Sequence, residues 1–203
     1  MSEPTAGGEE ARGLLEVAEH TYVALLHYPV YDKRRRIVAT AITNLDIHDI
    51  ARACRTYGVQ GYFLVTPVAA QRDLASRIVG HWRGGFGAVY NERRKEALDR
   101  VFVAQDLAEV RHTIEEREGT TPLVVATSAR PHGALTGREI LRQAKESGRP
   151  LLLLFGTGWG LSEELLAQVD AVLRPIAAHS DYNHLSVRAA VAIMLDRLFG
   201  DRE

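Results

Sequence analysis

The stretch from Leu151 to Leu161, which reads LLLLFGTGWGL, is the part of the chain best suited to hold a ligand. Its four leucines and phenylalanine predict a strand that is buried on both faces. The strand runs into three glycines, and glycine lets the backbone approach a ligand closely or adopt a positive φ angle. Ser162 and two glutamates follow, which is typical of the N-cap and first turn of a helix. Because open α/β sheets bind ligands where a strand gives way to such a turn, we expect a binding site here.

The charge at this turn argues against a nucleotide phosphate as the ligand. Phosphate binding requires free amides at a helix start, usually beside a lysine or arginine, whereas Glu163 and Glu164 stand there. The spacing of Gly156, Gly158 and Gly160 also differs from the dinucleotide fingerprint G-x-G-x-x-G. We therefore expect a ligand that lacks a phosphate and tolerates nearby carboxylates. A tight strand-to-helix turn without a ligand is the alternative interpretation.

The composition excludes several classes of protein. A chain of 203 residues with a formal net charge of −1 suits one domain with a substantial core. No strong global field would draw it to nucleic acid, so RNA binding would have to use local basic patches. Its one cysteine, Cys54, cannot form an internal disulfide, and no cysteine cluster suggests a metal site. No apolar run approaches the roughly 20 residues of a membrane span and no secretory signal is visible, so we expect a cytoplasmic protein.

Predicted strands and helices alternate along the chain, which indicates an α/β fold with a mostly parallel sheet and helices on both faces. The predicted strands span residues 21–27, 61–66, 101–103, 122–127, 151–155 and 169–173. The predicted helices span residues 46–58, 67–82, 106–117, 136–147 and 185–199, with a loop at 84–87. The last helix is apolar nearly all round, which predicts burial in the core or at a subunit contact. Residues 1–18 are expected to form a flexible or weakly helical tail before a single domain at residues 19–203.

Three segments of the chain resemble, in order, the three motifs of the SPOUT superfamily of RNA methyltransferases, which use S-adenosylmethionine (SAM). The first segment is residues 49–59 (DIARACRTYGV) and the second is residues 155–164 (FGTGWGLSEE). The third is residues 174–176 (RPI) followed by residues 181–190 (DYNHLSVRAA). Residues 124–130 (VVATSAR) match the strand end and loop that precede these motifs in many members. The likeness covers residues 20–200 and is closest to the small single-domain bacterial branch described as tRNA guanine-N1 methyltransferase-like.

This resemblance implies a fold, a cofactor and a binding site. Members have a C-terminal deep trefoil knot and are typically homodimers in which the partner subunit completes each active site. SAM would lie bent among three loops, and its sulfonium and lack of phosphate agree with the charge of the glycine turn. Carried onto this chain, the cofactor-binding residues are Thr127, Ser128, Ala129, Arg130, Phe155, Gly156, Thr157, Gly158, Trp159, Gly160, Leu161, Arg174, Pro175, Ile176, Tyr182, Asn183, His184, Leu185 and Ser186.

Methyl transfer also needs groups that align the acceptor and remove its proton. The resemblance places Arg52 where the ribose-methylating branch has its catalytic arginine, and Asp46 where that branch has an asparagine. Arg52 could instead be a solvated residue on a helix face, and for Asp46 we favour a helix N-cap over a catalytic base. His184 could accept the acceptor proton, since histidine titrates near neutral pH, or it could cap the last helix. Asn183 could hold the cofactor or orient the acceptor.

Two departures from the ribose-methylating pattern favour a base as the methyl acceptor. Gly158 or Trp159 stands where that pattern has a glutamate, and residues 182–186 (YNHLS) replace its Ser-Leu-Asn-Val-Ser. The prediction is therefore a SAM-dependent methyltransferase that acts on a base of tRNA or rRNA. The missing glutamate leaves open a non-catalytic RNA-binding protein that retains the fold, and a Rossmann-type oxidoreductase is a further alternative.

Further charged residues carry two expectations. Arg188 lies in an apolar helix and needs a carboxylate or ligand, with Asp181 or Asp196 as the expected ion-pair partner. The basic runs at residues 33–36 and 93–95, which have tyrosines nearby in sequence, could contact RNA. Such runs could equally serve only to solvate the surface.

Overall fold

The computed structural model describes residues 6–129, 134–177, 179–180 and 182–201. Its strands are β1 Thr21–Leu26, β2 Val30–Tyr31, β3 Ile37–Val38, β4 Gly61–Val65, β5 Val101–Ala104, β6 Leu123–Thr127, β7 Leu151–Gly156 and β8 Ala171–Leu173. Its helices are α1 Ala6–Glu19, α2 Asn44–Thr56, α3 Ala69–Gly84, α4 Phe86–Tyr90, α5 Glu92–Leu98, α6 Leu107–Glu118, α7 Gly137–Ser147, α8 Glu163–Leu166 and α9 Val187–Phe199. None of the helices in these residues is long and apolar enough to span a membrane.

Six of these strands form one parallel sheet in the order β5-β4-β1-β7-β6-β8, while β2 and β3 form a separate antiparallel hairpin. The two central strands, β1 and β7, are buried along almost their whole length, as their apolar runs predict. From β1 the chain moves to β4 and β5 on one side, and from β7 it moves to β8 on the other. The carboxyl ends of β1 and β7 therefore lie at a topological switch point, where open α/β sheets bind ligands.

Helices cover both faces of the sheet, so the predicted fold class is confirmed. Side chains alternate along β1: Val23 and Leu25 pack against a cluster that includes residues of α2, α3, α5, α7 and α9. Tyr22, Ala24 and Leu26 point the other way and pack against residues of α6 and α8. The sheet thus has two cores, and the larger core contains the helix that carries the first predicted motif.

The helix boundaries correct two predictions. Asp46 is not the N-cap of α2: the helix begins at Asn44, and the Thr43 hydroxyl accepts a hydrogen bond from the Asp46 amide at 3.1 Å. Apolar periodicity starts only at Ile47, which is why the sequence suggested a later start. The prediction of a loop at residues 84–87 is also wrong in part. Only Gly85 separates the end of α3 from the start of the short helix α4.

The chain before β1 is helical from Ala6 onward. Helix α1 packs against α7 and α9, and its Ala18 is fully buried. Part of the stretch expected as a tail is thus the helix α1, and the domain boundary at residue 18 stays a prediction.

Candidate functional site

A cavity of about 890 Å³ opens at the carboxyl ends of β6 and β7, within the size range of small-molecule sites. Its walls come from four parts of the chain: the segment before α2, the end of β6, the glycine turn after β7, and the segment that leads into α9. The lining residues are Thr40, Ala41, Thr43, Asp46, Thr127, Ser128, Ala129, Phe155, Gly156, Thr157, Gly158, Trp159, Gly160, Ile176, Asn183, His184, Leu185, Ser186, Val187, Arg188, Ala190 and Met194.

Most of the residues predicted to bind a cofactor line this one cavity, although they are far apart in sequence. The residues from each predicted loop that do so are Thr127, Ser128, Ala129, Phe155, Gly156, Thr157, Gly158, Trp159, Gly160, Ile176, Asn183, His184, Leu185 and Ser186. Four others do not line it: Leu161 is buried beside Gly156, Arg174 and Pro175 follow β8 outside the cavity, and Tyr182 stands at its mouth. Arg130 lies outside the described residues.

The glycine turn is fixed by the β2–β3 hairpin. The Trp159 amide donates to the Tyr31 carbonyl at 2.8 Å, and the Tyr31 amide donates to the Gly160 carbonyl at 2.9 Å. Gly158 has a φ of +59°, and a Cβ there would lie 2.8 Å from the Tyr31 carbonyl oxygen. Only glycine adopts this positive φ without strain and has no Cβ to approach that oxygen, so the fold of the turn requires glycine here. The hairpin's part in the site was missed, since two short strands give no signal in sequence.

A buried polar network lies behind the turn. The Thr157 hydroxyl donates to the Leu26 carbonyl at 3.2 Å and shares a hydrogen bond with the Thr40 hydroxyl. Nδ1 of His27 lies 3.1 Å from the same Thr40 oxygen, and burial lowers the pKa of His27 to about 4. His27 is thus a neutral structural residue at neutral pH, which its sequence context did not reveal. Thr40, which lines the cavity, was also missed because no motif contains it.

Asp46 is the carboxylate that the fold presents to the cavity. Its side chain accepts a hydrogen bond from the Thr43 hydroxyl at 2.6 Å and pairs with Arg188 at 2.9 Å. Arg188 also lies 3.4 Å from Asp49. Of the predicted partners of Arg188, Asp196 was wrong, because it instead accepts a hydrogen bond from Tyr57, and Asp181 lies outside the described residues. The sequence pattern gave no hint that α2 and α9 would lie side by side.

The other two candidate catalytic residues occupy different places. His184 lines the cavity near its mouth and is exposed to solvent. Arg52 lies on the exposed side of α2 and does not line this cavity. The structure thus brings Asp46 and His184 to one cavity and leaves Arg52 outside it.

The start of α8 is poorly suited to hold a phosphate, as the negative charges of Glu163 and Glu164 predict. Ser162 is its N-cap and accepts from the Leu165 amide at 3.3 Å, while the Glu163 amide donates to the Tyr31 hydroxyl at 3.2 Å. The Glu163 carboxylate pairs with Arg35 at 2.6 Å. These amides are therefore engaged, and a ligand without a phosphate fits the turn better. Small residues, backbone and one paired carboxylate around the cavity suit a bent, cationic nucleoside such as SAM.

The two basic runs are partly neutralised by acidic neighbours. In the first, Arg36 pairs with Asp32 at 2.7 Å. In the second, Lys95 pairs with Asp99 at 2.8 Å and Arg94 stacks over the ring of Trp82. Within the described residues, no three His, Cys, Asp or Glu side chains come together as a metal site would require.

Comparisons with known proteins agree with the motif order. A profile of the family described as SAM-dependent RNA methyltransferase matches residues 20–200. The tRNA (guanine-N(1)-)-methyltransferase of Nitratidesulfovibrio vulgaris is 47% identical over 180 residues, which are 89% of this chain and 42% of that protein. This chain therefore spans less than half the length of that relative. An uncharacterized protein of Aquifex aeolicus is 41% identical over 184 residues, which are 90% of each chain.

A solved structure has a similar fold: the crystal structure of the SpoU methyltransferase AviRb from Streptomyces viridochromogenes in complex with the cofactor AdoMet. The TM-score is 0.53 and the sequence identity is 16%. The match covers 88% of this chain and 58% of that one.

Proposed function

Because this chain belongs to the family of SAM-dependent RNA methyltransferases, we propose that it transfers the methyl group of SAM to a base of tRNA. The observation that carries the proposal is the cavity at the carboxyl edge of the sheet, which is lined by residues of the second and third motifs and of the segment 124–130 that precedes them. The similarity to the N. vulgaris enzyme supports N1 of guanine as the acceptor atom. The same comparisons favour this function over a Rossmann-type oxidoreductase.

When bound, SAM supplies a methyl group on a positively charged sulfur. The residues that line the cavity would hold SAM, from whose sulfur the methyl carbon would pass to the acceptor nitrogen as that nitrogen gives up its proton. We assign the proton to the Asp46 carboxylate, since Thr43 and Arg188 hold this group at the cavity wall. His184, at the mouth of the cavity, is the second candidate for this role.

We also propose that the protein works as a homodimer with a knotted C-terminal segment. The half-buried apolar residues of α9 and the exposed Leu45 and Leu185 provide an apolar surface beside the cavity. Arg52 lies outside the cavity of its own subunit, so it would act in the cavity of the partner. There its guanidinium would contact a phosphate of the RNA or activate the acceptor base.

The direct test is methyl transfer from tritiated SAM to unmodified tRNA transcripts and to bulk RNA from a strain that lacks the gene. We expect tritium in tRNA and a 1-methylguanine product after nuclease digestion. Calorimetry with S-adenosylhomocysteine measures cofactor binding separately. Tight binding without transfer to any RNA would contradict the enzymatic proposal and favour a non-catalytic RNA-binding protein, and absence of binding at millimolar ligand would also contradict the enzymatic proposal.

A further inference from the structure

Trp159 is the residue of the glycine turn whose large side chain points to solvent at the cavity mouth. Its backbone is fixed, since its amide donates to the Tyr31 carbonyl and the next amide donates to the Thr157 carbonyl at 3.1 Å. Yet Trp159 is 57% exposed. A tryptophan that the fold holds rigidly but leaves uncovered loses the free energy of burial, which indicates a surface kept free for a ligand.

Two more rings reach the same place from the segment that leads into α9. The His184 ring lies 6.3 Å from that of Trp159 at an angle of 72°, and 5.4 Å from that of Tyr182 at 59°. Tyr182 is 70% exposed. The rings are inclined and not stacked face to face, and the exposure of Trp159 and Tyr182 leaves ring surface open to solvent. Two segments remote in sequence thus place three aromatic side chains at the entrance of one cavity.

The interior of the cavity has a different chemistry from its entrance. Threonine, serine, alanine and glycine residues of the strand ends and of the glycine turn line much of the cavity, which suits SAM, while the solvent-exposed Trp159 and His184 line it with their rings. A base to be methylated cannot reach the cavity while it is stacked within RNA, so it must leave the stack and find other partners. Aromatic side chains provide such partners, because every base offers a flat π face.

We propose that Trp159, Tyr182 and His184 form a stacking subsite for the nucleobase that accepts the methyl group, after that base has left the RNA stack. The proposal rests on the proposed function and adds to it the way in which the acceptor is held. Gly158 or Trp159 stands where the ribose-methylating pattern has a glutamate, and a stacking surface beside this position suits a base as the acceptor.

The chain has two tryptophans, so the variant Trp82→Phe leaves Trp159 as its only tryptophan fluorophore. We expect unmodified tRNA transcripts to quench this fluorescence when S-adenosylhomocysteine is present at saturation, because a stacked base quenches indole emission. Quenching by S-adenosylhomocysteine with no further change on addition of tRNA would place Trp159 in the cofactor site and overturn the proposal. An emission that responds to neither ligand would overturn it as well.

Steady-state kinetics give an independent test. Trp159→Ala and Tyr182→Ala should each lower kcat/KM for tRNA roughly 10- to 100-fold, the loss expected for one stacked ring. Trp159→Phe and Tyr182→Phe should restore most of it. Leu74→Ala is the control, since Leu74 is an exposed apolar residue on α3, away from the cavity. Alanine variants as active as this control would contradict the subsite, whereas a wild-type protein without transfer activity would contradict the proposed function itself.

Discussion

At the scale of single residues, Asp46 and Arg188 show how the site depends on the packing of two helices. Asp46 is only 5% exposed, and a buried carboxylate is costly unless hydrogen bonds and an opposite charge compensate it. Arg188 provides that charge from the first turn of α9, and Asp49 lies on its other side. The pair therefore ties α2 to α9 and keeps a charged oxygen at the cavity wall.

Arg188→Ala should lower the free energy of unfolding by about 2 kcal/mol, because it leaves the Asp46 carboxylate buried without its partner. The exposed pair Arg55–Glu96 is the matched comparison, and Arg55→Ala should cost less than about 1 kcal/mol. Urea denaturation of both variants at pH 7 measures the difference. Equal losses for the two variants would mean that the Asp46 carboxylate does not need its counter-ion.

The buried histidine gives a prediction for pH. The pKa of His27 is about 4 in the folded protein because of burial, against about 6.5 in the unfolded chain. Between these values the unfolded state binds more protons than the folded state, so stability falls as the pH drops from about 6.5 to about 4. Protonation of His27 in the unfolded chain should lower the free energy of unfolding by about 2 kcal/mol between pH 7 and 4.5. This contribution should be absent in His27→Asn. Urea denaturation at both pH values checks this, and an unchanged pH dependence in the variant would contradict a buried neutral His27.

Some of these residues could be predicted from sequence, and others could not. The glycine turn and residues 182–186 were found because they belong to contiguous motifs with recognisable order. For Asp46 a helix cap was favoured, because sequence alone did not reveal the two groups that its carboxylate contacts. These are the Thr43 hydroxyl and Arg188, and Arg188 lies on α9, which is distant in sequence. Thr40 contacts Thr157, more than a hundred residues away, and His27 joins this network through Thr40; no local pattern encodes such contacts.

At the scale of elements, the site depends on the junction between the glycine turn and the β2–β3 hairpin. Apolar runs predicted β1, β4, β6 and β7 well, because burial on both faces requires a continuous apolar sequence. The hairpin and α4 were not predicted, since each is short and its conformation depends on tertiary contacts. The hairpin nonetheless determines the shape of the cavity wall.

Gly158→Ala should destabilise the turn by about 2 kcal/mol, since it adds a positive-φ strain and a contact of 2.8 Å with the Tyr31 carbonyl oxygen. The same change should weaken binding of S-adenosylhomocysteine, because the turn lines the cavity. Gly80→Ala is the control: a Cβ on this helical glycine would meet no atom within 4 Å, and alanine there should stabilise α3 by up to about 1 kcal/mol. Thermal unfolding and calorimetry measure both effects, and a Gly158→Ala protein with normal stability and binding would refute the steric argument.

At the scale of the whole molecule, the sheet order places both halves of the chain around one cavity while leaving a neighbouring apolar surface open. Helix α9 buries Val191, Met194, Leu195 and Leu198 in the core of its own subunit, so the sequence was right to predict a largely apolar helix. The remaining apolar residues of α9, among them Ile193, are only half-buried. In the homodimer that we propose, a second copy of the chain covers them and brings its own α2 toward the cavity.

A mixture of two inactive variants tests this arrangement. Asp46→Asn removes the carboxylate from the cavity, and Arg52→Ala removes the guanidinium that we expect to act in the partner's cavity. If both proposals hold, each protein alone should have little activity, while mixed dimers contain one site with both groups intact. After subunit exchange, about a quarter of the wild-type activity should return, since half of the dimers are mixed and each has one intact site.

The variant Ile193→Asp, combined with either substitution, provides the control for this complementation. A charge on the half-buried face of α9 should prevent dimer formation, as sedimentation would show, and should abolish the recovery of activity. Mixed dimers that form but remain inactive would mean that Arg52 and Asp46 of the same subunit serve one cavity. Recovery that persists in a monomer would exclude the shared site, because a group can act in trans only while two subunits are held together.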